Sequence, residues 1–414
     1  MIHSSVRQLT ILLTAVVLGT AAAMAQTPAA ASPAPDVSTD TSADSIAAAL
    51  PTDLHAGFLI AEPGPAFYSA HGHCAVRLTC PSHGLDYCFT FCMDATLWHY
   101  IQYFRGTALA QYACIPTEAF LQDYVEENRT VVEHEINLTV DQVRALWRLF
   151  DEEAMRGPHY HFDFLRKNCS SMSLRAVERC LGDEHLVFGS LPPVVAGTYR
   201  QFIRRAAPDR PWTYFVWSTL VGRVGEEVGV TEDKVAPPVF VETLQQAAFV
   251  KADGSSRPVL TGNTTLMVEG GTIWTNRGLT PTSFFLLLTL LALVVTVLQV
   301  CRRGTALVKA FDVLLFAAQT VLGLFVFHQA CLSNLDVMHY NWNLLVLNPL
   351  PVVLWACLHR RSWFRWVWLA FVGVLVLYML LSFVTPQIGL YQVLMALPLL
   401  IRAAAHVWLA APSR

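Results

Sequence analysis

The sequence predicts two architectures in one chain: a mixed α+β soluble domain over residues 51–275, then an all-α membrane domain with five transmembrane helices over 276–414. Three observations carry this prediction. Hydrophobic residues make up 54% of the 414 residues and charged ones only 14%, a balance too apolar for an average soluble chain. The excess is uneven, because residues 283–414 are apolar runs broken by short polar loops. The segment before them mixes strand-like and helix-like periodicities at ordinary polarity. A net charge of −3, with 28 Lys and Arg scattered or beside apolar runs, gives no basic field, so nucleic acid is not an expected partner.

The N-terminus reads as a secretory signal peptide over residues 1–25. Arg7 precedes an apolar run, Leu9–Gly19, and small residues end in Ala23-Met24-Ala25 before Gln26. Residues 26–50, rich in Ala, Pro, Ser, Thr and Asp, cannot bury a core and read as a disordered linker.

Five spans are expected at 283–300, 311–330, 344–358, 365–384 and 391–411, each close to the roughly 20 residues that cross a hydrocarbon core. With the soluble domain exported, the first span leaves Arg302, Arg303 and Lys309 in the cytoplasm, and the third returns to His359, Arg360, Arg361 and Arg365. The outer loops 331–343 and 385–390 contain no Lys or Arg. The positive-inside rule is thus met at every turn, which predicts a multi-pass inner-membrane protein with a periplasmic catalytic domain and a cytoplasmic C-terminus.

In the exported domain, residues 71–92 alternate around Pro81-Ser82-His83-Gly84, the pattern of a β-hairpin. Residues 117–128 and 139–155 have helical period, and Thr139 with Gln142 forms a capping box. After Asn168-Cys169-Ser170, the residues Met172, Ala176, Val177, Cys180 and Leu181 recur at helical spacing. Cys169 therefore stands at or next to a helix N-terminus with Lys167 nearby, conditions that lower a thiol pKa and favour a thiolate nucleophile.

Seven cysteines fall in the exported domain: Cys74, Cys80, Cys88, Cys92, Cys114, Cys169 and Cys180. In an oxidising compartment six can pair and one remains, and the one with reactive surroundings is Cys169. The alternative is that several are small buried hydrophobes. A thiol nucleophile needs a base, and His73 at the start of the first hairpin strand is the candidate. Asp86 and Thr90 on the neighbouring strand are the candidates for a third, orienting group.

At these residues the sequence resembles a known family. Gly72-His73-Cys74-Ala75-Val76-Arg77-Leu78, Phe104-Arg105-Gly106, Asn128-Arg129-Thr130-Val131, Asn137-Leu138-Thr139, Tyr160-His161-Phe162-Asp163-Phe164 and Asn168-Cys169-Ser170 resemble, in order, landmarks of the Lnb N-terminal periplasmic domain family. The loop His339-Tyr340-Asn341-Trp342-Asn343-Leu344-Leu345, with Leu347-Asn348-Pro349-Leu350, resembles a segment of its full-length members. The resemblance implies a permuted papain-like (NlpC-type) fold and an N-acyltransferase that completes bacterial lipoproteins. By motif match, the family's catalytic His and Cys fall on His73 and Cys169. Where the family has an aromatic-Asn-aromatic strand, this chain has Phe89-Thr90-Phe91, and the cysteines of the hairpin are a further departure.

The expected chemistry is a two-step transfer through a Cys169 thioester. A membrane phospholipid is the acyl donor, the α-amine of a diacylglyceryl-cysteine at a lipoprotein N-terminus is the acceptor, and no cofactor or metal is called for. The external loop with Asp336, His339, Asn341 and Asn343 is expected to complete the substrate cleft, against the alternative of interfacial anchoring by Tyr340 and Trp342. Arg402, costly within a span, is expected to meet a lipid phosphate, Asp312 or a cavity. Two rival readings use the same residues. One is a cysteine amidase or peptidase acting on peptidoglycan or peptide; the other is a non-enzymatic metal or scaffold module built on His71, His73, Cys74, His83, Cys88 and Cys92.

Overall fold

The computed structural model describes residues 51–64, 69–93, 96–189, 197–206, 209–227, 237–271, 278–348 and 364–409. The signal peptide and linker expected over residues 1–50 lie outside these. Antiparallel strands β1 (His55–Ala61), β2 (His73–Cys80), β3 (Leu85–Cys92), β4 (Leu109–Pro116), β5 (Val131–Ile136) and β6 (Tyr160–His161) build one sheet with β10 (Leu260–Val268). Its order is β10-β5-β1-β2-β3-β4-β6. The β2–β3 pair is the expected hairpin, turning through a 3-10 segment at Pro81–His83, with Gly84 at φ 65°. A small second sheet joins β7 (Glu184–Phe188), β8 (Ala247–Lys251) and β9 (Ser256–Pro258).

Strand alternation sorts the sheet's two faces. Cys74, Val76 and Leu78 of β2, with Phe89 and Phe91 of β3, pack under α3 (Val140–Arg156), α4 (Cys169–Glu178) and α7 (Pro237–Leu244). Ala75 and Cys88 face the other way, under Phe120 and Tyr124 of α2 (Thr117–Glu126). The capping box at Thr139 and Gln142 starts α3 as expected. All seven cysteines of the domain are free thiols, against a six-plus-one disulfide framework. The register explains this, because no cysteine stands opposite another: Cys74 pairs with Ile60, Cys80 with Leu85, Cys88 with Arg77 and Ile115, Cys92 with Gln111, and Cys114 with Phe89.

Four described helices are long and apolar enough to cross a membrane: α8 (Pro281–Val300), α9 (Thr305–Cys331), α10 (Phe364–Leu381) and α11 (Leu390–Leu409). Most of the expected third span falls outside the described residues; its first part is a 3-10 turn at Trp342–Leu345. The bundle's core is continuous with part of the soluble domain. Helix α6 (Pro211–Leu220), rich in aromatic side chains, puts Trp217 and Leu220 into the same apolar cluster as Phe285, Phe316 and Leu394 of the spans. Helices α1 (Leu97–Arg105) and α5 (Tyr199–Ala206) complete the described set.

Candidate active site

Cys169 is the first residue of α4, and the local sequence dictates that placement. Asn168 caps the helix, accepting from the N–H groups of Ser170 and Ser171 at 3.0 Å each, while Ser171 Oγ accepts from Asn168 N–H at 3.0 Å. This is the reciprocal arrangement of a capping box, with Asn and Ser in its two roles. The Cys169 sulfur accepts from the backbone N–H of Cys74 and from those at the start of its own helix. The sulfur thus meets the backbone of the residue that follows His73.

His73 opens β2, and its ring Nε2 lies 2.6 Å from Thr90 Oγ1. Both side chains project from the same sheet face, at diagonal positions of the β2–β3 ladder. A neutral imidazole that donates from Nε2 to Thr90 keeps Nδ1 free to take a proton. Of the two candidates for an orienting group, Thr90 is thus the one that reaches His73. Asp86, the other candidate, lies four residues farther along β3, about 13 Å away at strand rise. Its carboxylate is held by Arg77 at 2.8 and 2.6 Å and by Thr117 at 2.5 Å, which keeps its pKa below the ordinary carboxylate value.

The electrostatics differ from the sequence expectation. Burial raises the Cys169 thiol above its usual value, and the N–H groups aimed at the sulfur offset this only in part. Lys167 is exposed. Burial, followed by the nearby Arg129 charge, lowers His73 to about 4. Both the thiol and the imidazole are therefore held in their neutral forms.

Four residues near the site were assigned no role from the sequence. Phe120 sets its ring 6.2 Å from that of His73, and Tyr124 of the same helix interacts with both Cys169 and Arg129. Arg129 is buried, donates to Glu62 O at 2.8 and 2.6 Å and to Glu127 at 2.8 Å, and lies 4.8 Å over the Tyr124 ring. Arg210, at the N-cap of α6, is a second cation near it, and among the described residues its buried Nη2 has no hydrogen-bond partner. The spacing of Phe120 and Tyr124 on one face of α2 was a usable signal; nothing local marks Arg210.

Strand alternation puts Cys74 on one face and Cys88 on the other, and no three His, Cys, Asp or Glu side chains among the described residues could hold an ion. The external loop does meet the N-terminal domain, with its polar side chains engaged in fastening it. His339 Nε2 contacts Ser333 O at 2.8 Å. Asn341 donates to Thr219 O and Leu220 O at 2.8 and 2.9 Å, and Asn343 donates to Thr219 O at 3.0 Å and accepts from Tyr378 at 2.6 Å. These amides cap the carbonyl end of α6. Arg402 is fully buried, not lipid-facing: it binds Asp312 at 2.6 and 2.8 Å, Thr296 at 2.7 Å and Gln299 at 2.6 Å.

Comparison with known families accounts for both halves of this arrangement. Residues 44–205 match the Lnb N-terminal periplasmic domain, and residues 273–413 match the Lnb transmembrane domain. The chain belongs to the Lnb family. It is a membrane protein with a periplasmic N-terminal domain. Neither the curated proteins nor the solved structures searched gave a match. In this Lnb chain the family match to the periplasmic domain contains both His73 and Cys169, and the stretch between the two matches contains α6, the helix that locks them together.

Proposed function

We propose that this Lnb-family protein is a lipoprotein N-acyltransferase of permuted papain-like fold, working through a Cys169 thioester. The observation that supports this most is the meeting of the Cys169 sulfur with the N–H of Cys74, beside a neutral His73, in a domain bonded directly to the membrane bundle. Cys169 attacks the ester carbonyl of a phospholipid while its proton passes to His73 Nδ1. The C–S bond forms, the C–O bond breaks, and His73 returns the proton to the departing glycerol oxygen of the lysophospholipid. The α-amine of a diacylglyceryl-cysteine then attacks the thioester. The C–N bond forms as C–S breaks, and His73 carries the amine proton back to sulfur. A thioester stores enough acylating potential to form an amide without ATP.

The Cys169 N–H is a ready donor to the developing oxyanion. Arg210, with its free Nη2, and Arg129 are the cations at hand for the donor's phosphate. The bundle is required because donor and acceptor are both lipid-anchored, and the C-terminus lies in the cytoplasm. The test is expression of Cys169→Ala and His73→Ala proteins in cells lacking other lipoprotein N-acylation, with mass spectrometry of a lipoprotein N-terminal peptide. Triacylated product from the Cys169→Ala protein overturns the reading.

A further inference from the structure

Helix α1 connects β3 to β4 beside the membrane bundle, and it exposes apolar side chains in a pattern. Leu97 is 55% exposed, Trp98 58% and Ile101 40%. At 3.6 residues per turn these three fall, with Phe104 and Arg105, in an arc of roughly 120°, while buried Tyr103 lies on the opposite side. A water-facing surface of a periplasmic domain has no reason to present Leu, Trp and Ile side by side.

The position of the helix says what covers them. Its C-terminal end is fastened to the end of span α9: Ser333 Oγ donates to Phe104 O at 2.8 Å, and Asn334 N donates to Arg105 O at 3.0 Å. Gly106, at φ 70°, closes the helix, and a Cβ there would lie 2.7 Å from Leu335 N, so no side chain could separate the two. The Phe104 ring packs edge-on to Phe325 of α9, centroids 5.1 Å apart. A hydrocarbon core of about 30 Å measured from Lys309, at about 1.5 Å per residue, ends near residue 329, so Phe325 stands roughly 6 Å inside it. The lipid-facing side of α9 continues to that level through exposed Phe327 and Leu332. Exposed Tyr340 and Trp342, on the loop at the same end of the bundle, supply the aromatic belt.

We propose that α1 lies in the membrane surface, with Leu97, Trp98 and Ile101 seated at the boundary between headgroups and acyl chains and Arg105 at phosphate level. The other side of this helix, through His99 and Gln102, lines a cleft of about 200 Å³ with Cys92, Met93 and Leu109. Cys92 is two residues along β3 from Thr90, so the lipid boundary adjoins the strand that orients His73. The inference rests on the membrane position of the bundle and is independent of the transferase reading.

The test is photocrosslinking of the full chain in nanodiscs of phosphatidylethanolamine and phosphatidylglycerol. Benzoylphenylalanine replaces Ile101 in one variant, Leu97 on the same face in a second, and Met155 of α3, 82% exposed, in a control. Lipid adducts at residue 101 or 97 at least tenfold above those at 155 are expected. Adducts equal to the control at both positions, or adducts to protein alone, overturn the proposal. Two positions on one face keep it decidable if one replacement fails to fold, and acylating activity enters neither readout.

Discussion

Arg166 donates to Asp336 at 2.6 Å, joining the loop that carries Cys169 to the loop that leaves the second span, 170 positions away. Phe164, whose carbonyl accepts from the Asn168 side chain at 3.1 Å, stacks flat on Trp217 of α6 at 4.0 Å and 4°. The cap of the helix that begins with Cys169 is thereby fixed against the membrane half. The Arg166–Asp336 pair is partly exposed, so its loss should cost stability no more than about 1 kcal/mol. Turnover should fall further than stability, by roughly tenfold, because small displacements of a nucleophile are expensive. Arg166→Ala, assayed for lipoprotein acylation and for melting in detergent, separates the two effects.

Thr90 and Asp86 make opposite predictions. Thr90→Val strands the His73 ring N–H in a buried site and should lower kcat by about 10- to 100-fold, with Thr90→Ser restoring most of it. Asp86→Asn should leave kcat nearly unchanged while lowering stability by about 1 kcal/mol, since its half-exposed carboxylate serves Arg77 and not the imidazole.

The pH dependence follows from the neutral pair. His73 stays unprotonated in the folded protein down to about 4, whereas the unfolded chain protonates it near 6.5. The acid limb of kcat/KM should therefore lie near pH 4. The stability that His73 contributes should be complete above about pH 6.5 and decline as pH falls towards 4. Cys169, with its thiol raised above 9.0, should be alkylated by iodoacetamide at a rate that climbs only above pH 9. Peptide mass spectrometry resolves it from the other free thiols, and an inflection near neutrality would contradict the neutral pair.

Arg402 and Asp312 should behave as a buried structural pair. Replacing either alone, as Arg402→Leu or Asp312→Leu, should destabilise the bundle by about 3–5 kcal/mol, and replacing both should recover much of the loss. A lipid-phosphate role would instead leave Asp312→Leu stable and raise KM in Arg402→Leu.

Arg210→Gln should raise KM for the phospholipid by roughly tenfold, the loss of about 1.4 kcal/mol of charge-assisted bonding, with kcat held. A fall in kcat at constant KM would place Arg210 outside donor binding.

Much of this was legible from local pattern. Alternation gave the β2–β3 hairpin, helical period with Thr139 and Gln142 gave α3, and Cys169 at a helix start followed from the residues after it. What could not be read was set by burial and by pairing between distant segments. The thiol's surroundings looked anionic-friendly along the chain, yet enclosure outweighs the helix terminus. The polar run around His339, Asn341 and Asn343 looked like a substrate face, because sequence does not reveal that Thr219 and Leu220 carbonyls await those amides. Arg210 had no signal at all, since its neighbour Arg129 comes from a distant part of the chain.

At Gly222 the two halves meet backbone to backbone. Its N–H donates to Val337 O at 2.9 Å, and a Cβ in its place would strike the His339 carbonyl. The natural cut in this molecule is therefore not the change of composition near residue 276. A chain severed there would keep α6 while losing the spans that cover Trp212, Phe215 and Trp217, and would carry a raw apolar wound into water. The periplasmic domain is thus poor material for recombination onto other anchors. Any shortened form made to capture the chemistry in solution will need a detergent micelle or a redesigned α6 in place of the missing membrane half.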